Sequence, residues 1–103
     1  MRYTIMQLKN NDEELLIKYG FRSFEDVIKY DFDIDFLYED VYTGELIFDE
    51  GETVEHFLDD LFTIFNIHRP ADFKGHSMSV GDIVVLEDGS QYYCDSFGWK
   101  VIR

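Results

Sequence analysis

Three carboxylates at alternating positions are the first residues of this sequence that could do chemistry. Asp31, Asp33 and Asp35 have the spacing with which a calcium-binding EF-hand loop begins. Such a loop needs glycine at its sixth position and a bidentate glutamate at its twelfth, where this chain has Phe36 and Tyr42. The motif is incomplete, so we expect no metal ion at these residues.

A second group of side chains could supply a nucleophile and its base. Its members are His76, Ser77, Ser79, Cys94, Asp95 and Ser96. Cys94 lies in an apolar strand-like run that favours a buried thiol, and His76-Ser77 precede a strand, where such side chains usually bond loop backbone. His56 and His68 have no third metal ligand by spacing. There is no G-x-S-x-G elbow or phosphate-binding glycine loop, so we expect no enzymatic activity, no cofactor and no metal.

Aromatic residues near the end of the chain could form a platform for stacked nucleic-acid bases. They are Tyr92, Tyr93, Phe97 and Trp99. The formal net charge of −13 repels phosphates, which disfavours nucleic acid and anionic membranes as direct partners. We therefore interpret these residues as core or protein-contact aromatics, with Trp99 as a binding hot spot if it is exposed.

The negative charge is concentrated between Lys29 and Arg69, an interval without Lys or Arg. Its twelve carboxylates are Asp31, Asp33, Asp35, Glu39, Asp40, Glu45, Asp49, Glu50, Glu52, Glu55, Asp59 and Asp60. The remaining residues carry ten acids and nine bases, so this interval supplies nearly all of the net charge. Apolar residues occur throughout it, which indicates a folded scaffold. We predict that all these carboxylates except Glu45 bind a basic protein partner.

The first elements that position these residues are a strand and two short helices. Residues 2–8 are rich in aromatic and β-branched side chains, which predicts a strand. Asn11 and Gly20 are typical of the start and end of one helix, and Ser23 of the start of another. Helices this short are marginal alone, so we expect both to pack on a sheet.

A hairpin is predicted for the first half of the acidic interval. Residues 32–38 alternate between apolar and polar, which is strand periodicity and places the first three carboxylates on one strand face. Thr43-Gly44 is a plausible turn, and residues 45–48 would form the partner strand.

The strongest helix signal covers residues 53–66. Thr53 is a plausible N-cap and Asn66 a plausible terminator. The apolar stripe comprises Val54, Phe57, Leu58, Leu61, Phe62 and Phe65. We expect Glu52, Glu55 and Asp59 to share the opposite face of this helix.

The last elements are a buried strand over residues 82–87 and a second strand over residues 91–95, joined at Asp88-Gly89. The order β-α-α-β-β-α-β-β predicts an α+β fold: a mostly antiparallel sheet, the helix at about 53–66 packed on one face, and short N-terminal helices. The length of 103 residues favours a single domain over 1–103. A lone Cys94, no signal peptide and no membrane-length apolar run favour a cytoplasmic protein.

Several motifs of the second half resemble the YodL-like domain. They are FKGHSMSVGDIV at residues 73–84, Gly89, YYCDSFGW at 92–99, FNIHRPADF at 65–73 and VYTGEL at 41–46. The resemblance covers roughly residues 40–103. It implies a habitat in Firmicutes, often on conjugative elements and plasmids, and a family with no established enzymatic role.

Small size, acidity and this signature together resemble a type II-A anti-CRISPR protein. That resemblance implies inhibition of a type II RNA-guided effector nuclease, whose nucleic-acid channel is lined with Lys and Arg that contact phosphates. Carboxylates on a rigid scaffold would occupy such a channel and hinder guide-RNA loading or DNA access. The alternatives are a non-enzymatic interaction module of a conjugative element with an antirestriction or regulatory partner, and acidic residues that only keep the protein soluble.

Overall fold

The described residues, 1–9 and 13–103 of a computed structural model, form five strands and four helices around one antiparallel sheet. The elements in chain order are β1 (Arg2–Leu8), α1 (Glu13–Tyr19), α2 (Phe24–Val27), α3 (Ile34–Leu37), β2 (Tyr38–Glu45), α4 (Val54–Ile67), β3 (Ile83–Leu86), β4 (Gln91–Cys94) and β5 (Trp99–Val101). The strand order is β2-β1-β3-β4-β5, and every neighbouring pair is antiparallel. The predicted α+β class is therefore confirmed. Among the described residues, no helix has the length and apolar character that crossing a membrane requires.

Helix α4 covers one face of the sheet with a continuous apolar stripe. Thr53 caps it, because its hydroxyl accepts a hydrogen bond of 3.1 Å from the backbone N–H of His56. The buried residues of this layer are Phe57, Leu58, Leu61 and Phe65 of α4, packed on Tyr3, Ile5, Val84 and Leu86 of the sheet. The stripe is confirmed except at Phe62, which is exposed. Asn66 does not end the helix; its side-chain amide bonds the carbonyl of Phe62 inside the last turn.

The other face of the sheet is covered by α1, α2 and α3. They contribute Tyr19, Val27 and Leu37, which pack on Leu8, Tyr38, Ile83 and Tyr93. Because adjacent residues of a strand point to opposite faces, this core is separated by the sheet from the one under α4. The predicted cap Ser23 accepts a hydrogen bond from Asp26 N–H at the start of α2. The predicted cap Asn11 lies outside the described residues.

The predicted strand at 32–38 is wrong, because a helical turn forms there instead. The Asp33 carboxylate accepts a hydrogen bond of 3.1 Å from Asp35 N–H, which makes Asp33 the N-cap of α3. Ile34 and Leu37 then share the inner side of that turn at i and i+3. The capping bond outweighed the alternating pattern, and the three aspartates do not share a strand face.

The predicted hairpin through Thr43-Gly44 is also wrong. Strand β2 continues through both residues, because β1 offers partners along its whole length, from Leu8 opposite Tyr38 to Arg2 opposite Glu45. Gly44 is needed for close approach and not for a turn, since a Cβ there would lie 2.8 Å from the Tyr3 hydroxyl. Residues 46–48 form no strand and lead toward α4.

Candidate functional site

The structure divides the predicted partner-binding carboxylates among three places. One set lies on or beside α4, and we call it the α4 acidic surface: Asp49, Glu50, Glu52, Glu55, Asp59 and Asp60. A second set, Asp31, Asp33 and Asp35, lies in the layer of α1, α2 and α3 on the other side of the sheet. Glu39 and Asp40 are exposed on the edge strand β2. The eleven residues therefore do not form one continuous face.

The α4 acidic surface contains no Lys or Arg from residue 49 to residue 67. One of its two rows faces the β4–β5 turn, where the Asp59 carboxylate accepts a hydrogen bond of 3.0 Å from the Trp99 indole N–H. Glu55 lies in the same row, since a Cβ added at Gly98 would stand 3.5 Å from its carboxylate oxygen. Phe97, at the tip of the same turn, is 99% exposed. The turn that adjoins this acidic row thus carries an exposed aromatic side chain, which lines a groove with Phe24 and Lys100.

The second row consists of Glu52, His56 and Asp60, one helical turn apart. The imidazole Nδ1 of His56 lies 2.9 Å from Glu52 Oε2 and 3.7 Å from Asp60 Oδ2. The hydrogen bond to Glu52 and the charge of Asp60 raise the pKa of His56. The pKa of Glu52 is lowered, most of all by the hydrogen bond from Asp49 N–H and next by the hydrogen bond from His56. The prediction that spacing gives His56 and His68 no third metal ligand is wrong for His56, because Glu52 and Asp60, four positions to either side, place carboxylate oxygens within 4.8 Å of its ring nitrogen.

The prediction that Glu52, Glu55 and Asp59 share one helix face is wrong for Glu52. Glu52 precedes the helix, and its side chain is only 8% exposed because it turns inward to Asp49 and His56. Glu55 and Asp59 form the other row, so Glu52 does not share a face with them.

Carboxylates of the α1–α3 layer stand among basic groups. Asp31 and Asp33 line a groove together with Lys18, whose ammonium also lies 4.9 Å from the centre of the Tyr30 ring. The ammonium of Lys9 is 5.7 Å from the centre of the Phe36 ring beside Asp35. Residues 13–37 carry seven acids and three bases, so this layer has a mixed surface.

A buried polar cluster joins β1 to the loop before β3. The Gln7 amide donates to Asp82 Oδ2 at 3.0 Å and to the His76 carbonyl at 2.9 Å, and Ser79 N–H donates to Asp82 Oδ2 at 2.9 Å. Burial is the main cause that raises the pKa of Asp82 to about 6. His76 Nε2 is 4.0 Å from Asp82 Oδ1, and Ser79 Oγ is buried without a hydrogen-bond partner among the described residues. Gln7 is separated from Asp82 by 75 positions, so sequence spacing gave no signal for this cluster.

The remaining candidate nucleophiles and their neighbours are buried or take part in hydrogen bonds that stabilise the fold. Cys94 is buried, and that burial raises the pKa of its thiol to about 12, which disfavours the reactive thiolate. Asp95 accepts hydrogen bonds from Phe24 N–H and Ser96 N–H and so anchors the start of α2. The His76 ring bonds the Ser77 carbonyl at 2.7 Å.

The aromatic platform considered for base stacking does not form. Tyr93 is fully buried on the α2 side, whereas Tyr92 and Trp99 pack against the core under α4. Phe97 alone of the four projects into solvent. The interpretation as core or protein-contact aromatics fits this arrangement.

Comparison with known proteins gives one match. The family model of the YodL-like domain matches residues 2–103, a longer part of the chain than the motifs at residues 40–103 indicate. No curated protein and no solved structure matches the chain.

Proposed function

This chain belongs to the YodL-like domain family, and we propose that it acts by binding and not by catalysis, as an anti-CRISPR inhibitor of a type II RNA-guided effector nuclease. In this proposal the α4 acidic surface occupies the basic groove in which the nuclease holds nucleic acid, and it hinders guide-RNA loading or DNA access.

The observation that carries the proposal is the separation of charge between the layers. The six carboxylates of the α4 acidic surface have no Lys or Arg along the same stretch, while the α1–α3 layer mixes both signs. A rigid one-sign surface complements a phosphate-binding groove and speeds association with it. Exposed Glu50, Glu55 and Asp59 would make the contacts, whereas Glu52 is turned inward.

Phe97 gives the proposed interface an apolar contact. It is fully exposed in the β4–β5 turn, whose next two residues, Gly98 and Trp99, adjoin Glu55 and Asp59, and it contributes little to the folded core. An aromatic side chain of this kind is a common anchor at the centre of protein interfaces, with charged residues around it.

The test is the order in which the components are mixed. Guide RNA and the guide-free nuclease form a complex that a gel shift detects, and the protein is added either before or after the guide. We expect loss of the complex only when the protein is added first, and weaker inhibition as salt rises, because the screening length falls to about 3 Å at 1 M.

Two outcomes would contradict this proposal. Absence of inhibition in both orders, with cleavage unaffected, would exclude the nuclease as partner and favour an interaction module of a conjugative element. Inhibition that is unchanged at 1 M salt would show that acidic contacts do not drive binding. Blocked cleavage with the guide complex intact would support the DNA-access form of the proposal.

A further inference from the structure

We propose that Glu52, His56 and Asp60 form a binding site for a divalent transition-metal ion of the Zn²⁺ type. The sequence predicted no metal at any site, and this inference does not depend on the identity of the protein partner. It rests on the position, spacing and orientation of these three side chains.

The three ligands lie on one wall of an open cavity of about 670 Å³ between α4 and the segment that precedes it. His56 and Asp60 lie at i and i+4 on the same side of α4, and Glu52, just before the helix, reaches His56 from the preceding segment, so each contributes one ligand atom toward the same space. Leu46, Ile47 and Ile64 form the apolar part of the lining. A metal ion here would be reachable from solvent through the mouth of the cavity.

The ligand atoms are spaced for direct coordination. All three lie within 4.8 Å of one another, and His56 Nδ1 is 2.9 Å from Glu52 Oε2 and 3.7 Å from Asp60 Oδ2. Zinc bonds of about 2.0–2.2 Å place tetrahedral ligands roughly 3.4 Å apart, a separation that these two distances bracket. Asp60 is 47% exposed, so its carboxylate has the freedom to complete the site by a side-chain rotation.

Glu52 is held in a fixed orientation toward His56. Its side chain is 8% exposed, and the Asp49 N–H donates to Oε1 at 3.0 Å, so that Oε2 is directed at His56. An outer hydrogen bond of this kind orients metal ligands in proteins. His56 is the one basic side chain that residues 49–67 place beside the carboxylates of Glu52 and Asp60, and a bound cation would add positive charge between them.

The donor set selects the class of metal. One imidazole with two carboxylates suits Zn²⁺ and its neighbours among the transition metals, whereas Ca²⁺ and Mg²⁺ prefer oxygen ligands alone. Three protein ligands leave one tetrahedral position for water on the cavity side. A bound metal ion would replace the proton in the hydrogen bond between His56 and Glu52. It would also neutralise part of the negative charge of the α4 acidic surface.

Titration calorimetry of the full chain with Zn²⁺ tests the site, with Co²⁺ absorption as a spectroscopic readout of imidazole coordination. We expect one ion per chain, no comparable binding of Mg²⁺, and at least tenfold weaker Zn²⁺ binding in His56→Ala and in Asp60→Asn. The matched controls are Asp59→Asn, which makes the same charge change one position along the helix, and His68→Ala, which removes another exposed imidazole. Both should bind Zn²⁺ as the parent chain does.

The proposal fails if Zn²⁺ binds with no defined stoichiometry, or if Asp59→Asn weakens binding as much as Asp60→Asn. Either result would show a diffuse attraction of cations to an acidic surface. Loss of binding in His68→Ala but not in His56→Ala would place the metal elsewhere and would equally overturn it. Circular dichroism of each variant separates these results from unfolding.

Discussion

The two layers that cover the sheet are built in different ways. The α4 layer is one helix of 14 residues, attached by a stripe of Phe and Leu, with a solvent side that carries carboxylates and no Lys or Arg. The opposite layer consists of helices of seven, four and four residues, attached partly by tyrosine hydroxyls that bond backbone carbonyls. The bond from Tyr93 to Arg22 joins the sheet to this layer, the bond from Tyr19 to Asp31 lies within the layer, and the bond from Tyr38 to Gly81 links β2 to the loop before β3.

This difference is the structural basis of the proposal that the chain binds through one surface. Apolar contacts on its inner side attach α4 to the sheet. The outer carboxylates are therefore not needed for this attachment, except for Glu52, which bonds Asp49, and Asp59, which bonds Trp99. The short helices cannot form alone, so their polar groups serve the fold. Substitutions can test each half of this contrast.

The largest effect is expected when the apolar attachment of α4 is removed. Phe65 is fully buried, and its ring centre is 4.9 Å from that of Phe73 and 5.3 Å from that of Tyr42. Phe65→Ala should lower the free energy of unfolding by about 3–5 kcal/mol, measured by urea denaturation. Phe62→Ala, on the exposed edge of the same helix, is the control and should lower it by less than about 1 kcal/mol. Equal losses would show that the inner side does not hold the helix.

The polar cluster at Asp82 should produce a smaller, pH-dependent effect. Its folded-state pKa of about 6 lies above the ordinary value of 3.8, so protonation stabilises the folded chain, and that stability is lost as pH rises through 6. Asp82→Asn keeps an oxygen for Gln7 and Ser79 and should remove a pH dependence of up to about 3 kcal/mol between pH 4 and 7. The measurement is the difference in unfolding free energy between parent and variant across this range.

A control separates this effect from the general charge of the chain. Asp40→Asn removes a carboxylate of the same type from the exposed edge strand β2. The unfolding free energy of this variant should change with pH in parallel with that of the parent chain. If Asp82→Asn also runs parallel to the parent chain, burial does not perturb this carboxyl as proposed.

Each tyrosine hydroxyl bond of the α1–α3 layer should contribute less to the free energy of unfolding. Tyr93→Phe removes the 2.7 Å bond to the Arg22 carbonyl while keeping the buried ring, and we expect a loss of about 1–2 kcal/mol. Tyr92→Phe changes a half-buried ring on the other face of β4 and should stay within about 0.5 kcal/mol of the parent. Thermal unfolding of the pair gives the comparison, and no difference between them would mean that the ring alone anchors this layer.

The same contrast explains how much could be predicted from the sequence. The α4 layer and the strands β1, β3 and β4 follow from local periodicity, and Thr53 and Asp88-Gly89 stand where their types predict. The segment around Asp33 could not be predicted, because a capping bond competed with an alternating pattern. The pairing of β2 with β1 depends on residues about 40 positions apart, such as Thr4 and Thr43, whose hydroxyls are 3.0 Å apart.

Part of the candidate site could also be predicted from the sequence. The excess of carboxylates was evident from composition, but its division between two sides of a sheet depends on topology. The Glu52–His56–Asp60 row was encoded in simple helical spacing, whereas the inward orientation of Glu52 depends on the loop that holds Asp49.

The most direct test of the account compares charge reversal on the two layers. Glu50→Lys with Glu55→Lys changes the α4 acidic surface, and Asp31→Lys with Asp35→Lys makes the same change of charge on the other side of the sheet. Glu55 and Asp35 each lie in the first turn of their helix, so the cost to helix stability is matched. The measurement is the dissociation constant of each double variant for the guide-free type II nuclease. We expect the α4 variant to bind on the order of tenfold or more weakly and the other to stay near the parent. Equal weakening of both, or no change in either, would contradict binding through the α4 acidic surface.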